Sequence, residues 1–199
     1  MRSSKNYCFI HSCNLPEKGT VCLEYLLERI KILNIEKIFI NNIGIPIDKE
    51  YPGAEICNYS TETSLFETPT INRIRQFAIS NPGQNVLYLH TKGITHNFED
   101  SRIQDWVDMM LYFLIKEPCN LNIYDTLGCT LVRLKGLSFY SGNFWWATTD
   151  YLATLPVCGS DKYDSEMWVL SNPNAKSLDF HNSGICHYNE CYPKTKYIV

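Results

Sequence analysis

Apolar residues in the first half of the chain form short continuous runs, separated by stretches in which they recur every three or four positions. Three runs, at residues 7–11, 37–41 and 85–90, are typical of buried β-strands. Between them, the apolar spacing over residues 21–33 predicts a helix, and Thr70 can cap a second helix. Strands that alternate with helices predict βαβ units and a largely parallel sheet.

The second half of the chain has a less regular pattern. Residues 101–116 place their apolar side chains on one helical stripe, which predicts an amphipathic helix packed on the sheet. A strand candidate at 129–133, an aromatic-rich segment at 139–146 and a helix candidate at 164–170 follow without clear alternation. No repeat or linker divides the chain. We therefore predict a single α/β domain over residues 1–199, with a mixed central sheet flanked by helices.

The composition indicates a folded protein and argues against several function classes. Of the 199 residues, 45% are hydrophobic and 20% are charged, which is typical of a globular domain. The formal net charge is -3 and no basic cluster is present, so nucleic acid is not an expected partner. No apolar run approaches the length of about 18 residues that a membrane span requires. Nine cysteines without a preceding signal-peptide core predict reduced thiols and a cytoplasmic location.

Several familiar catalytic and cofactor motifs are absent from the sequence. No Gly-x-Gly occurs, which disfavours dinucleotide-binding and Walker-type loops, and the His-Glu-x-x-His and Gly-x-Ser-x-Gly motifs are missing. Cys8 with Cys13, and Cys186 and His187 with Cys191, leave a structural zinc protein as one alternative, although their spacing is wider than usual.

Polar residues follow two of the predicted strands, at the edge where an open α/β sheet binds its ligand. His11 and Ser12, at the end of the first strand, can hold a nucleotide base or a phosphate. Where the strand at 85–90 ends, His90 can bind a metal ion or a phosphate, and Lys92 can neutralise a diphosphate. An ordinary turn with a solvated lysine is the structural alternative.

A run of small and aromatic residues is the third candidate. Aromatic rings such as those of Trp145 and Trp146 suit the face of a sugar, and the preceding Ser141, Gly142 and Asn143 can bind its hydroxyls. Tryptophans packed in the hydrophobic core are the alternative.

Two acids, Asp164 and Glu166, lie at the start of the last predicted helix. Acids at this position often act only as caps or as favourable partners of the helix dipole. A carboxylate directed into a cleft can instead accept the proton of an acceptor hydroxyl, which is the general-base role in an inverting glycosyl transfer.

Two motifs give the chain a family resemblance: Tyr-Leu-His-Thr-Lys-Gly at residues 88–93 and Ser-Gly-Asn-Phe-Trp-Trp-Ala at residues 141–147. The chain resembles the small GT-A-type glycosyltransferases of large DNA viruses and some bacteria, among them the N-terminal domain of a chlorella-virus capsid glycosyltransferase. The resemblance implies a GT-A-type, Rossmann-like fold. It also implies transfer of a sugar from a nucleotide-sugar donor to a hydroxyl of a glycan or glycoprotein, by a viral enzyme in the host cytoplasm.

The same resemblance implies roles for individual residues. Glu166, or Asp164 in second place, is the general base, and His187 contacts the donor diphosphate or a metal ion. The donor side consists of His11, Ser12, His90, Thr91, Lys92 and His187, and the sugar and acceptor side of Ser141, Gly142, Asn143, Trp145 and Trp146.

One departure from the family concerns the metal ion. Many GT-A enzymes chelate Mn²⁺ or Mg²⁺ with an Asp-x-Asp motif, whereas this chain has His90-Thr91-Lys92. Lys92 can replace part of the charge of the ion, and His90 with His187 leaves a metal site open. The missing acids also leave a second function open, that of a catalytically silent nucleotide- or carbohydrate-binding module on the same fold.

Overall fold

A central β-sheet carries the candidate site, and helices cover both of its faces. The computed structural model describes residues 4–16, 18, 20–93, 100–117, 119–134 and 136–198. The strands are β1 (Asn6–Asn14), β2 (Lys37–Gly44), β3 (Ala54–Ser60), β4 (Asn85–His90), β5 (Thr126–Gly128), β6 (Leu131–Leu134), β7 (Leu137–Tyr140), β8 (Trp145–Thr148) and β9 (Ser177–Asp179). The helices are α1 (Val21–Ile30), α2 (Thr68–Ser80), α3 (Ser101–Lys116), α4 (Thr149–Leu152) and α5 (Asp164–Trp168), with short 3-10 helices at Thr63–Leu65 and Lys194–Lys196. None of the helices in these described ranges is long and apolar enough to cross a membrane.

The central sheet has seven strands in the order β3-β2-β1-β4-β8-β5-β9. β8 runs antiparallel to β4 and β5, and the other neighbouring pairs are parallel. β6 and β7 form a separate two-stranded hairpin. The prediction of an α/β domain with a mixed central sheet is confirmed.

Alternation along the strands divides the core into two layers, one on each face of the sheet. On β1, Ile10 belongs to the layer formed with α1 and α3, whereas Phe9 belongs to the layer formed with α2. Leu152 of α4 and Trp168 of α5 complete this second layer. The helices occupy the two faces, and in open α/β sheets ligands usually bind at the edge formed by the carboxyl ends of the parallel strands.

The strand order creates a switch point between β1 and β4. From β1 the chain proceeds outward to β2 and β3, and it then returns to add β4 on the other side of β1. His11, three residues before the end of β1, is paired in register with His90, the last residue of β4. Open α/β sheets bind their ligands in the crevice at such a point.

Three segments differ from the prediction. β3 has no apolar run because it lies at the edge of the sheet and its side chains are only partly covered. The aromatic-rich segment at 139–146 is not one strand: Gly142 and Asn143 have φ angles of +97° and +54°, which end β7 and separate it from β8. The strand predicted at 129–133 begins only at Leu131, because Thr130 also has a positive φ.

Candidate functional site

Glu67, the residue before α2, is a hydrogen-bonding centre at the switch point. Its Oε2 atom accepts hydrogen bonds from the Tyr88 hydroxyl at 2.8 Å and from Asn143 Nδ2 at 2.6 Å. Its Oε1 atom lies 3.4 Å from His90 Nδ1. Burial by itself raises the pKa of Glu67, but His90, His11, the Tyr88 hydroxyl and Lys92 together hold this pKa below its usual value. Glu67 is therefore an anion held by three side chains.

His90 connects this carboxylate to the turn between β7 and β8. Its Nε2 atom is 3.0 Å from the carbonyl oxygen of Gly142, while Nδ1 faces Glu67. The ring also packs edge-to-face against Phe144, with centroids 5.2 Å apart. Burial lowers the pKa of His90, although Glu67 opposes that shift. Both ring nitrogens thus have partners within the protein.

Lys92 places a cation beside this network. Its Nζ atom lies 3.8 Å from the ring centroid of Trp106 and 5.9 Å from that of Tyr188. Burial lowers the pKa of Lys92 to about 8, and the negative charges of Glu67 and Glu166 oppose this shift. Among the residues that the structure describes, no carboxylate lies within ion-pair distance of the Lys92 ammonium group.

Two unpartnered ring nitrogens belong to the residues next to Lys92. Trp106 and His187 stack with centroids 5.0 Å apart and ring planes 9° from parallel. Ser183 Oγ is 2.8 Å from His187 Nε2, but within the described part of the chain neither His187 Nδ1 nor Trp106 Nε1 has a hydrogen-bond partner. Both side chains are buried, and burial lowers the pKa of His187 to about 4. Buried polar groups without partners are rare in proteins and often mark a missing ligand or water.

The two acids of α5 have different surroundings. Glu166 is half-buried, and burial together with the charge of Glu67 raises its pKa, while Lys92 and Lys162 partly oppose the rise. Asp164 accepts a hydrogen bond from the backbone N–H of Asp161 at 2.9 Å, so it caps the turn before the helix. A partly buried carboxylate with a raised pKa is a candidate functional group, whereas Asp164 has a structural partner in the turn.

The ends of β1 and β4 are locked to each other and to α2. His11 Nδ1 lies 2.9 Å from Thr70 Oγ1, and burial lowers the pKa of His11 to about 4. Thr91 accepts a hydrogen bond from the backbone N–H of Cys13 at 3.0 Å, which fastens the two strand ends. Ser12 is buried next to His11 and pairs with β2. His11, Ser12 and Thr91 are all buried.

Comparison with known proteins places this chain in a family. The model of a family described as "Domain of unknown function (DUF8361)" matches residues 22–157, more than half of the chain. The chain belongs to this family. No curated protein matches the DUF8361 chain significantly.

The structure of the DUF8361 protein is similar to that of a cytidylyltransferase from Leptospira borgpetersenii serovar Hardjo-bovis. The TM-score is 0.50 at 18% sequence identity, and the match covers 96% of this chain and 77% of the other. Two further matches, each with a TM-score of 0.49, are CMP:2-keto-3-deoxy-manno-octonic acid synthetase complexed with CTP and glucosyl-3-phosphoglycerate synthase from Mycobacterium tuberculosis in complex with uridine-diphosphate. The match to the synthetase with CTP has 12% identity and covers 90% of this chain and 91% of the other. The match to the glucosyl-3-phosphoglycerate synthase has 13% identity and covers 96% of this chain and 74% of the other. At such identities the likeness to the cytidylyltransferase shows the fold alone. The resemblance to viral glycosyltransferases stays a prediction.

The prediction that Trp145 and Trp146 line a sugar site is wrong for the DUF8361 protein, because both side chains are in the core. They are 0% and 2% exposed and belong to opposite layers of the sheet. The indole N–H of Trp145 bonds to Asn143 Oδ1 and that of Trp146 to the Leu114 carbonyl oxygen. From the same motif, the structure brings the Gly142 carbonyl and the Asn143 side chain into the site. Ser141 lies in the turn, where its backbone N–H bonds to Thr130.

Sequence reasoning missed two residues of the site. Glu67 lies just before a helix with Pro69 in its first turn, where an acid is usually interpreted as a helix-dipole partner. Trp106 fits the apolar stripe of α3, so its pattern indicates core packing. Neither residue has a distinctive local signal, because each acquires its role from partners distant in sequence.

The described residues do not fit a divalent cation at this position. Both nitrogens of His90 face groups of the protein, and Lys92 contributes a positive charge where the resembled family has an acid. Within the described ranges, no group of three or more His, Cys, Asp or Glu side chains is arranged to hold a metal ion, including around the cysteine pairs.

Proposed function

We propose that this DUF8361 protein transfers a sugar from a nucleotide-sugar donor to a hydroxyl of a glycan or glycoprotein acceptor. The proposal rests on the environment of Lys92. A largely buried cation beside two unpartnered ring nitrogens, at the switch point of an α/β sheet, is suited to an anionic ligand such as a diphosphate.

The donor diphosphate would lie against Lys92, with the ring nitrogens of Trp106 and His187 able to donate hydrogen bonds to its oxygens. As the bond from the anomeric carbon to the diphosphate breaks, the fixed charge of Lys92 stabilises the departing group. His11, Ser12, His90 and Thr91 would form the floor beneath the donor.

A neighbouring cavity offers space for the nucleoside of the donor. It has a volume of about 610 Å³ and begins where α2 starts, beside the carboxyl ends of β2 and β3. Asn41, Asn72 and Arg73 are among its lining residues, and Arg73 Nη1 donates to Asn41 Oδ1 at 2.6 Å. Amide and guanidinium groups in such a cavity can recognise a nucleobase by hydrogen bonding.

The acceptor hydroxyl would be activated by Glu166. Its oxygen attacks the anomeric carbon while its proton passes to the Glu166 carboxylate, and the diphosphate leaves on the opposite side with the electron pair of the broken bond. This direct displacement inverts the configuration. Burial and the charge of Glu67 raise the pKa of Glu166, which makes it a stronger base than an exposed carboxylate.

The test is incubation of the purified protein with a panel of radiolabelled nucleotide-sugars, with and without oligosaccharide acceptors. We expect release of labelled sugar from at least one donor, and loss of this release in Lys92→Gln but not in the matched control Lys176→Gln, which changes an exposed lysine. Binding without any turnover would favour the silent module. Incorporation of nucleotide from a nucleoside triphosphate, with no sugar release, would favour nucleotidyl transfer.

A further inference from the structure

Glu67 joins three separate parts of the chain at the candidate site. It precedes α2, accepts a hydrogen bond from Tyr88 and faces His90, both on β4, and accepts a second bond from Asn143 in the turn before β8. A buried carboxylate is stable only when such partners satisfy it. The conformation of the turn is therefore tied to the carboxylate.

Asn143 extends this connection to the last helix. Its φ of +54° is uncommon for a residue other than glycine, and its side chain is fully engaged. The Oδ1 atom accepts a bond from Trp145 Nε1 at 3.1 Å, and Nδ2 bonds to Glu67 and approaches the Ser165 carbonyl oxygen at 3.4 Å. Ser165 directly precedes Glu166 in α5.

α5 depends on contacts of this kind for its orientation. The helix has five residues, and no side chain caps its first turn. A helix of this length has almost no stability of its own and takes its position from tertiary contacts. Asn143 supplies one such contact at the residue beside the candidate base.

We infer that Glu67 is a positioning residue, which orients Glu166 through Asn143 and the Ser165 carbonyl without itself touching the substrate. The inference rests on the proposed function, since it concerns the base of that reaction. Glu67 is poorly suited to act as the base because its Oε2 atom already accepts two hydrogen bonds and His90 faces its Oε1 atom. The two carboxylates thus have separate roles, one structural and one chemical.

The experiment compares Glu67→Gln with Glu67→Leu. Glutamine can keep the bonds from Tyr88 and Asn143 with its amide oxygen, whereas leucine removes them. We expect kcat to fall about 10²-fold in Glu67→Leu, because a displacement of about 1 Å can have that effect, with little change in donor KM. We expect Glu67→Gln to stay within about tenfold of the parent kcat, and the control Glu50→Leu, at an exposed loop position, to match the parent.

The pH profile separates positioning from a purely structural role. Glu166 is faced by Glu67, Lys92 and Lys162, and Glu67 by His90, His11, Lys92 and Tyr88. In Glu67→Gln the negative charge beside Glu166 is lost, so the acidic limb of kcat/KM should move to lower pH. A residue that supports the fold at a distance from Glu166 would leave this limb unchanged.

Asn143→Gly tests the same connection if Glu67→Leu does not fold, because glycine accepts the positive φ while losing the side-chain bonds. It should lower kcat as Glu67→Leu does, and Glu67→Gln/Asn143→Gly should be no worse than Asn143→Gly alone. A fully active Glu67→Leu or Asn143→Gly, or a Glu67→Gln as inactive as Glu67→Leu, would overturn the inference while the parent still turns over donor. A parent without turnover on any donor would overturn the proposed function and this inference together.

Discussion

At the scale of single residues, Lys92 shows how burial and charge oppose each other in this protein. Desolvation lowers its pKa to about 8, while Glu67, Glu166 and the ring of Trp106 stabilise the charged form. Because burial destabilises the charged form of Lys92, an anion bound beside it would stabilise that form. A diphosphate is such an anion and would also reach the unpartnered nitrogens of Trp106 and His187.

Replacement of Lys92 should therefore weaken donor binding. Lys92→Ala loses a charge-assisted hydrogen bond, which contributes about 1.5–3 kcal/mol, so the affinity for nucleotide-sugar should fall by roughly 10- to 100-fold. In the parent, Kd should rise as the pH increases through about 8, because Lys92 then loses its proton and its charge. Calorimetry at several pH values measures both effects.

Lys92→Ala should show no such pH dependence over this range. The matched control is Lys176→Ala, at an exposed position, which should bind donor as the parent does. Unchanged affinity of Lys92→Ala for every nucleotide-sugar that binds the parent would remove Lys92 from the site.

A second prediction at this scale concerns Glu166. Glu166→Gln keeps the size of the side chain but removes the base, so turnover should fall by about 10²- to 10⁴-fold with nearly unchanged donor affinity. Asp164→Asn should mainly affect stability, by up to about 1 kcal/mol, because Asp164 caps a turn. Turnover and urea unfolding of both variants are the measurements.

Turnover of the two variants shows which acid, if either, is the base. Parent-like turnover in Glu166→Gln together with loss in Asp164→Asn would transfer the role of base to Asp164. Parent-like turnover in both would mean that the acidic segment is structural.

At the scale of elements, β8 reverses direction inside an otherwise parallel sheet and contributes one tryptophan to each core layer. Trp145 contacts Tyr88 and Trp168, while Trp146 lies in the layer of α3 and bonds to its last turn. The turn before β8 carries Gly142 and Asn143 into the site. One short segment thus packs in both core layers and contacts His90 and Glu67.

Removal of a β8 tryptophan should accordingly affect stability. Trp146→Ala deletes a fully buried ring and should lower the free energy of unfolding by about 3–5 kcal/mol. Tyr163→Ala, at a position with 54% exposure, is the aromatic control and should change stability by less than about 0.5 kcal/mol. Urea denaturation followed by circular dichroism measures both, and a parent-like Trp146→Ala would contradict the assignment to the core.

At the scale of the whole molecule, strand order decides where chemistry can occur. His11 and His90 meet because β1 and β4 are neighbours in the sheet, although 79 positions separate them in the chain. Residues from the rest of the chain lie around these two strands. They are Glu67 before α2, Glu166 on α5 and His187 near the end of the chain.

A ligand in this crevice should stabilise the folded state as a whole. At a free concentration of 100 times its Kd, a nucleoside diphosphate or nucleotide-sugar that binds only the native protein adds about 2.7 kcal/mol. For a domain of this size we expect Tm to rise by roughly 5–10 °C. Differential scanning calorimetry with and without ligand measures the rise, and inorganic phosphate at the same concentration is the control.

Much of the fold could be predicted from the sequence. The strand at residues 85–90 and the helix at 101–116 have the predicted bounds. The reason is that the apolar residues in each segment follow a strong and regular pattern. β3 could not be predicted, because an edge strand with half-covered side chains needs no apolar run. The break at Gly142 and Asn143 was concealed by the aromatic residues on both sides.

The candidate site was predictable only in part. His90 ends a recognisable buried strand and Lys92 follows it, so the sequence indicates both directly. Glu67 and Trp106 were missed because a carboxylate before a helix and a tryptophan on an apolar stripe look the same whether or not they border a ligand site.

The sequence by itself determined the α/β class, the main helices and strands, and the polar character of the strand ends, because periodicity and strand-end chemistry are local properties. The tertiary structure alone decided that Trp145 and Trp146 are in the core, and that Glu67 holds Asn143 and His90. It also decided that Lys92 lies against Trp106 beside His187. These contacts depend on the order of the strands in the sheet and join residues tens of positions apart. A local sequence pattern cannot predict such contacts.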